Sequence, residues 1–92
     1  MRTISIDARN ALFSGGSFSR SNTRVKDGCL YLHHNKIAEY KDGSLSISLA
    51  GWATVTTRER LNALDGVNLY QKNYEQYLNG KKIDSQRWYK ID

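Results

Sequence analysis

At 92 residues the chain makes one domain near the lower size limit for a self-sufficient hydrophobic core, which argues against a large cleft or a two-domain enzyme. Its 39% hydrophobic and 25% charged content, of mixed sign, excludes a disordered chain, and a net charge of +5 favours acidic partners, nucleic acid or an acidic protein surface. A lone Cys29 excludes an internal disulfide, and neither a secretory leader nor a run of roughly 20 apolar residues is visible, so an intracellular setting without membrane association is expected.

In chain order, Ile4 and Ile6 alternate with polar neighbours and predict a short edge strand. Residues 10–17, with Ser14-Gly15-Gly16-Ser17 at their end, read as a flexible loop inside a single small α+β domain spanning 1–92. From Ser19 to Leu49, short alternating segments are threaded through Asp27-Gly28, His34-Asn35 and Asp42-Gly43, which lays them out as an antiparallel meander. A two-residue Asp27-Gly28 turn sets Val25 opposite Leu30 and Thr23 opposite Leu32, whereas a three-residue loop would place Arg24 beside Leu30 on the core face. A His34-Asn35 turn sets Leu32 opposite Ile37. A three-residue Lys41-Asp42-Gly43 loop with a bulge then pairs Ile37 with Ile47, because a two-residue turn would oppose Tyr40 to Leu45 and mix the faces.

This register collects Val25, Leu30, Leu32, Ile37, Leu45, Ile47 and Leu49 on a core face, with Glu39 at its rim. The opposite face collects Arg20, Arg24, Lys26, Tyr31, His33, Lys36 and Tyr40. Thr56 with Glu59 forms a capping-box signal for a short helix that ends near Asp65-Gly66 and lays Leu61 and Leu64 across the core face. Arg58 and Asn62 fall on its outer side and Arg60 on a flank. Strands resume at Val67, turn at Asn79-Gly80 and finish with a segment over Arg87 to Ile91. The fold class is α+β: an antiparallel meander, one short helix on its apolar face and a C-terminal hairpin region.

Two clusters carry candidate chemistry. Arg20, Arg24, Lys26, Tyr31, His33 and Lys36 interleave cations with aromatic rings, the composition used for phosphate contact and base stacking. Lys81, Lys82 and Arg87, beside Trp88, repeat that composition near a hairpin tip, with Trp88 itself assigned to the core. The competing account of both is an ordinary solvated face and lysine protection of a sheet edge. Cys29 and His33 on one strand stand near 13 Å apart at about 3.3 Å per residue, too far to share an ion, so no metal site and no cofactor are expected. No nucleophile elbow, phosphate loop or second helix for a helix-turn-helix occurs, and the chain reads as non-enzymatic.

The strings Ser21-Asn22-Thr23-Arg24-Val25, Lys36-Ile37-Ala38-Glu39-Tyr40, Gly51-Trp52-Ala53-Thr54, Thr56-Thr57-Arg58-Glu59-Arg60-Leu61 and Tyr77-Leu78-Asn79-Gly80-Lys81 give the chain a further property. From about Ser19 onward it resembles a group of small accessory proteins of unassigned role encoded by tailed bacteriophages. That resemblance implies a viral protein acting in the host cytoplasm by stoichiometric binding to a host protein or ribonucleoprotein complex, for example as an antagonist of a CRISPR-type defence. Direct binding of DNA or RNA is the alternative.

Overall fold

The computed structural model describes residues 2–91. Its sheets are built from two-residue hairpins, and five of these carry positive φ at both central residues: Asp27-Gly28, His33-His34, Asp42-Gly43, Asn73-Tyr74 and Asn79-Gly80. That mirror-image turn matches the right-handed twist of the flanking strands, which is why Asp-Gly and Asn-Gly recur at these places. His33-His34 and Asn73-Tyr74 adopt it without glycine.

Strands β1 (Phe18–Arg20), β2 (Thr23–Lys26), β3 (Cys29–Leu32), β4 (Asn35–Lys41) and β5 (Ser44–Ile47) form a consecutive antiparallel meander, and β9 (Tyr89–Ile91) pairs with β5 to complete six strands. The strands β6 (Leu69–Lys72), β7 (Glu75–Leu78) and β8 (Lys81–Ile83) form a separate three-stranded sheet. Helices α1 (Thr3–Ser14) and α2 (Val55–Asn62) cover the apolar face of the larger sheet. The α+β class and the antiparallel meander are therefore present, with two helices among the described residues rather than one.

Helix α1 replaces the strand expected at Ile4 and Ile6 and takes up Asn10 to Ser14 of the expected loop. Its buried positions are Ser5, Ala8 and Leu12, spaced three and four residues apart, while Ile6 is exposed. A small and a polar residue inside the inward stripe conceal the helical period. Gly15 at φ 77 then closes the helix in the left-handed cap, its amide donating to the Ala11 carbonyl.

The first hairpin has the expected register, Val25 opposite Leu30 and Thr23 opposite Leu32. The next two do not. The second turn sits on His33-His34 rather than His34-Asn35, and Leu32 faces Asn35. A bulge in β4 then restores the phase: Tyr31 opposes Lys36 and Leu30 opposes Ala38, so Ile37 and Ala38 are both buried. With the extra residue already spent in β4, Asp42-Gly43 closes as a two-residue turn, Tyr40 opposes Leu45 and Ala38 opposes Ile47. Tyr40 consequently belongs to the core side, edge-on to Phe13 of α1 at 4.8 Å between ring centroids. Glu39 moves from the expected core rim to the outer face, opposite Cys29.

The cap of α2 is Thr54, whose hydroxyl accepts the Thr57 amide at 3.2 Å, not Thr56. Leu61 and Leu64 are buried in the core as expected. The polar side chains of α2 are tertiary connectors instead of surface groups. Asn62 bonds both the Leu69 carbonyl (3.0 Å) and the Leu69 amide (2.6 Å), supplying β6 with the pairing an extra strand would give. Arg58 donates to the Ala53 carbonyl and to Gln71 and Gln76 of the smaller sheet, at 3.1, 3.3 and 3.0 Å. Arg60 is only 3% exposed and donates to Thr23 of β2 (2.9 Å), Ser5 of α1 (3.0 Å) and Glu59 (3.3 Å). Burial holds the Arg60 guanidinium below its ordinary value, Glu59 opposes that shift, and the nearby Arg2 charge adds to it.

Candidate functional site

Residues that face each other across antiparallel strands share a side of the sheet, so the register identifies the outer face directly. One row runs Ser19, Arg24, Tyr31, Lys36 across β1 to β4. A second runs Lys26, Cys29, Glu39, Ser46, Lys90 across β2, β3, β4, β5 and β9. Both helices lie on the other side, and among the described residues no strand of the smaller sheet packs over these rows. Among the described residues the face carries four cations, Arg24, Lys26, Lys36 and Lys90, against the carboxylate of Glu39, which pairs with Lys36 at 3.6 Å.

Aromatic rings hold two of those cations in place. The Arg24 guanidinium lies 5.0 Å from the Tyr31 ring centroid, and the Lys36 ammonium 5.7 Å from that of Trp88. Trp88 is 44% exposed, so it is a component of this face and not the core residue expected from composition. Beside Arg24 and Tyr31 is an open depression of about 560 Å³, bordered by Ser19, Asn22, Thr23, His33 and His34, with no carboxylate in its lining among the described residues. His33 Nε2 stands 3.5 Å from Asn22 Nδ2, and Ser21, His33 and His34 all carry positive φ at this rim. Left-handed backbone at non-glycine residues costs of order 1 kcal/mol each and persists where the surroundings over-determine it.

The structure thus brings Arg24, Lys26, Tyr31 and Lys36 together, with His33 at the end of the row in its turn. It does not bring Arg20 there. The two-residue Ser21-Asn22 turn sets Arg20 opposite Thr23 on the core side, where it pairs with Asp7 of α1 at 2.9 Å and lies over Phe18. Carrying the strand phase back through Asn22 overlooked that turn. Lys81 and Lys82 line a different depression, between β8 and β9, and Arg87 is exposed in the connection preceding β9. Ser19, Trp88 and Lys90 are members that sequence reasoning missed. For Lys90 the missing information was the pairing of β9 with β5, a contact across more than 40 residues that no local pattern announces.

The ion pair of Lys82 with Glu75, at 3.0 Å, ties β7 to β8 on the exposed side of the smaller sheet. Hydrogen bonding and charge from Lys82 hold the Glu75 carboxyl below its ordinary value. A carboxyl lowered in the fold contributes stability above its unfolded pKa and loses that contribution as pH falls through the lowered one. Lys82→Met is accordingly expected to move the Glu75 titration midpoint upward, read by NMR on the side-chain carboxyl during an acid titration; an unmoved Glu75 midpoint would remove the ion pair from the account.

Comparison with known proteins places this geometry in a family context. The model of the family described as Kyanoviridae Gp96 protein matches residues 1–91. No curated protein matches the chain, and no solved structure does.

Proposed function

The chain belongs to the Kyanoviridae Gp96 family of phage proteins, and from that premise we propose that it is a non-enzymatic accessory protein that binds a host factor and inhibits or redirects it. One observation carries this reading: an uncovered sheet face that, among the described residues, carries four cations against one carboxylate, two of those cations being backed by aromatic rings. Such a face attracts an acidic surface over long range, and it offers rigid rings as anchors once contact is made. The partner chemistry is an acidic patch on a host protein or ribonucleoprotein, and an anti-CRISPR-like block of a defence complex is the most specific form of the proposal. The protein would work inside the host cell; among the described residues no helix is long and apolar enough to cross a membrane.

The test is capture from host lysate with tagged protein. A stoichiometric partner is expected, and the double substitution Arg24→Glu, Lys36→Glu should lower its recovery by about tenfold or more, since reversing charges in contact costs several kcal/mol. Recovery of no partner, together with unchanged host growth and immunity on expression, would sink the proposal. So would a partner indifferent to the charge reversal.

Stacking of Arg24 on Tyr31 and of Lys36 by Trp88 favours a second reading, direct binding of single-stranded nucleic acid. Affinity for an oligonucleotide would then fall steeply with salt through counterion release, with a slope shallower by about one in Arg24→Ala. Absence of binding at low salt eliminates it.

A further inference from the structure

Trp52 is 59% exposed, yet the backbone that carries it is pinned. The connection after β5 turns through Ala50 and Gly51, both at positive φ. The Trp52 amide donates to the Leu49 carbonyl at 2.8 Å, the Ala50 amide to the Ser48 hydroxyl at 3.0 Å and the Thr54 amide to the Trp52 carbonyl at 2.9 Å. The indole borders a cavity of about 380 Å³ between one end of the larger sheet and the start of α2. Leu32, Asn35 and Ile37 line it from β3 and β4, where the register sets Leu32 opposite Asn35. Thr54, Thr56 and Thr57 line it from the cap and first turn of α2, and His33 completes the rim.

The hydrogen-bonding capacity of this lining is only partly used. The Thr54 and Thr57 hydroxyls stand 3.0 Å apart, and Thr54 Oγ1 also accepts the Thr57 amide. Whichever oxygen donates, one hydroxyl proton lies between the pair and the other has no partner among the described residues. The side chains of Asn35 and Thr56 likewise form no hydrogen bond among the described residues. No Lys, Arg, Asp or Glu lines the cavity among those residues, so it selects by shape and hydrogen bonding rather than by ion pairing.

We propose that this cavity binds a nucleobase. A flat uncharged ring covers Leu32, Ile37 and the Trp52 indole with its faces, and its polar edge meets the Asn35 amide, which both donates and accepts. Adenine is the base whose adjacent amino group and ring nitrogen match an asparagine amide in two bonds. The other candidates leave something unmatched. A phenol side chain brings one hydrogen-bonding group to a lining that offers three, from Asn35, Thr56 and the Thr54–Thr57 pair. A sugar carries hydroxyls all round its rim and would turn several of them against Leu32 and Ile37. An anion would meet no lysine or arginine. The cavity opens on the core side of the sheet, away from the Arg24 row, and does not depend on the role proposed for that row.

The probe is adenosine, titrated into the full isotopically labelled chain by NMR. Shifts are expected at residues 32–37 and 52–57 and at the Trp52 indole N–H. Trp52→Ala should lower affinity about tenfold or more with thermal unfolding unchanged, since the ring it removes is exposed. Purine riboside, which lacks the 6-amino group, should bind the parent about tenfold more weakly than adenosine. In Asn35→Ala the affinity for purine riboside should stay where it was and that for adenosine fall to meet it, a convergence that misfolding cannot mimic. A short oligoadenylate identifies the source of the base: affinity equal to that of adenosine assigns a free nucleoside or nucleotide, and tighter binding that falls with salt assigns a base within a strand. Arg24→Glu combined with Lys36→Glu should leave adenosine binding unchanged, which separates this site from the outer face. The proposal fails if millimolar adenosine moves no residue of the cavity, if Trp52→Ala binds equally well, or if the shifts fall on the Arg24 row. It fails equally if glucose or a capped tyrosine binds more tightly than adenosine, or if a second copy of the chain fills the cavity, seen as self-association that Trp52→Ala abolishes.

Discussion

Arg60→Ala is expected to lower unfolding free energy by about 3 kcal/mol, seen as a fall in the urea midpoint with an unchanged slope. The reason is position. One guanidinium, 3% exposed, joins Ser5 of α1, Thr23 of β2 and Glu59 of α2, so its removal opens a cavity and takes a donor from two buried hydroxyls at once. Arg60→Met separates the two contributions. It retains most of the volume and sheds the charge that burial penalises, so its cost should be nearer 1 kcal/mol, arising from the deserted hydroxyls. An alanine variant within about 0.5 kcal/mol of the parent would mean that the cluster does not hold the helices to the sheet.

Gly28→Ala should be comparably damaging, at about 2 to 4 kcal/mol, and it has an internal control. Gly28 lies at φ +76, and a Cβ there would stand 2.8 Å from the Tyr40 carbonyl oxygen, a backbone atom held by the neighbouring strand. The Tyr40 amide also donates to the Gly28 carbonyl at 2.8 Å, so the close approach is part of the pairing of β4. Gly43 has nearly the same φ, +77, with open space where its Cβ would be. Gly43→Ala should therefore lose only the left-handed penalty, about 1 kcal/mol, and the difference between the variants measures the backbone contact. Thermal unfolding of both under one set of conditions decides it; equal losses would remove the Tyr40 contact from the account.

Much of the outer face was legible because one turn was. Asp27-Gly28 admits little besides a two-residue hairpin, and Arg24 beside Tyr31 follows from counting outward. Lys36 also falls on the expected face, although by a different route: the turn lies one residue earlier, and Lys36 opposes Tyr31 just before the β4 bulge. Past the bulge, Glu39 and Tyr40 exchange sides, because one inserted residue inverts the phase of everything after it. No residue type announces that insertion, since Ile37 and Ala38 are both apolar and either could face the core. Arg58, Arg60 and Asn62 illustrate a second limit. On a short helix Arg58 and Asn62 read as outward-facing and Arg60 as flanking, yet each becomes a connector once α1 and the smaller sheet arrive beside it.

By itself, then, the sequence determined what is local: the α+β class, the Asp-Gly and Asn-Gly hairpins, the burial of Leu61 in α2 and of Leu64 just past its end, and an excess of cations on the outer sheet face. These depend on alternation, backbone tolerance of positive φ and charge, all readable within a few residues. Tertiary structure alone decided that α1 is a helix, that β9 leaves β8 to join β5, that Trp88 supports Lys36 and that Arg60 is enclosed. Those outcomes rest on which surfaces meet across the chain, and burial of a distant partner outweighs the small local preferences that any short segment expresses.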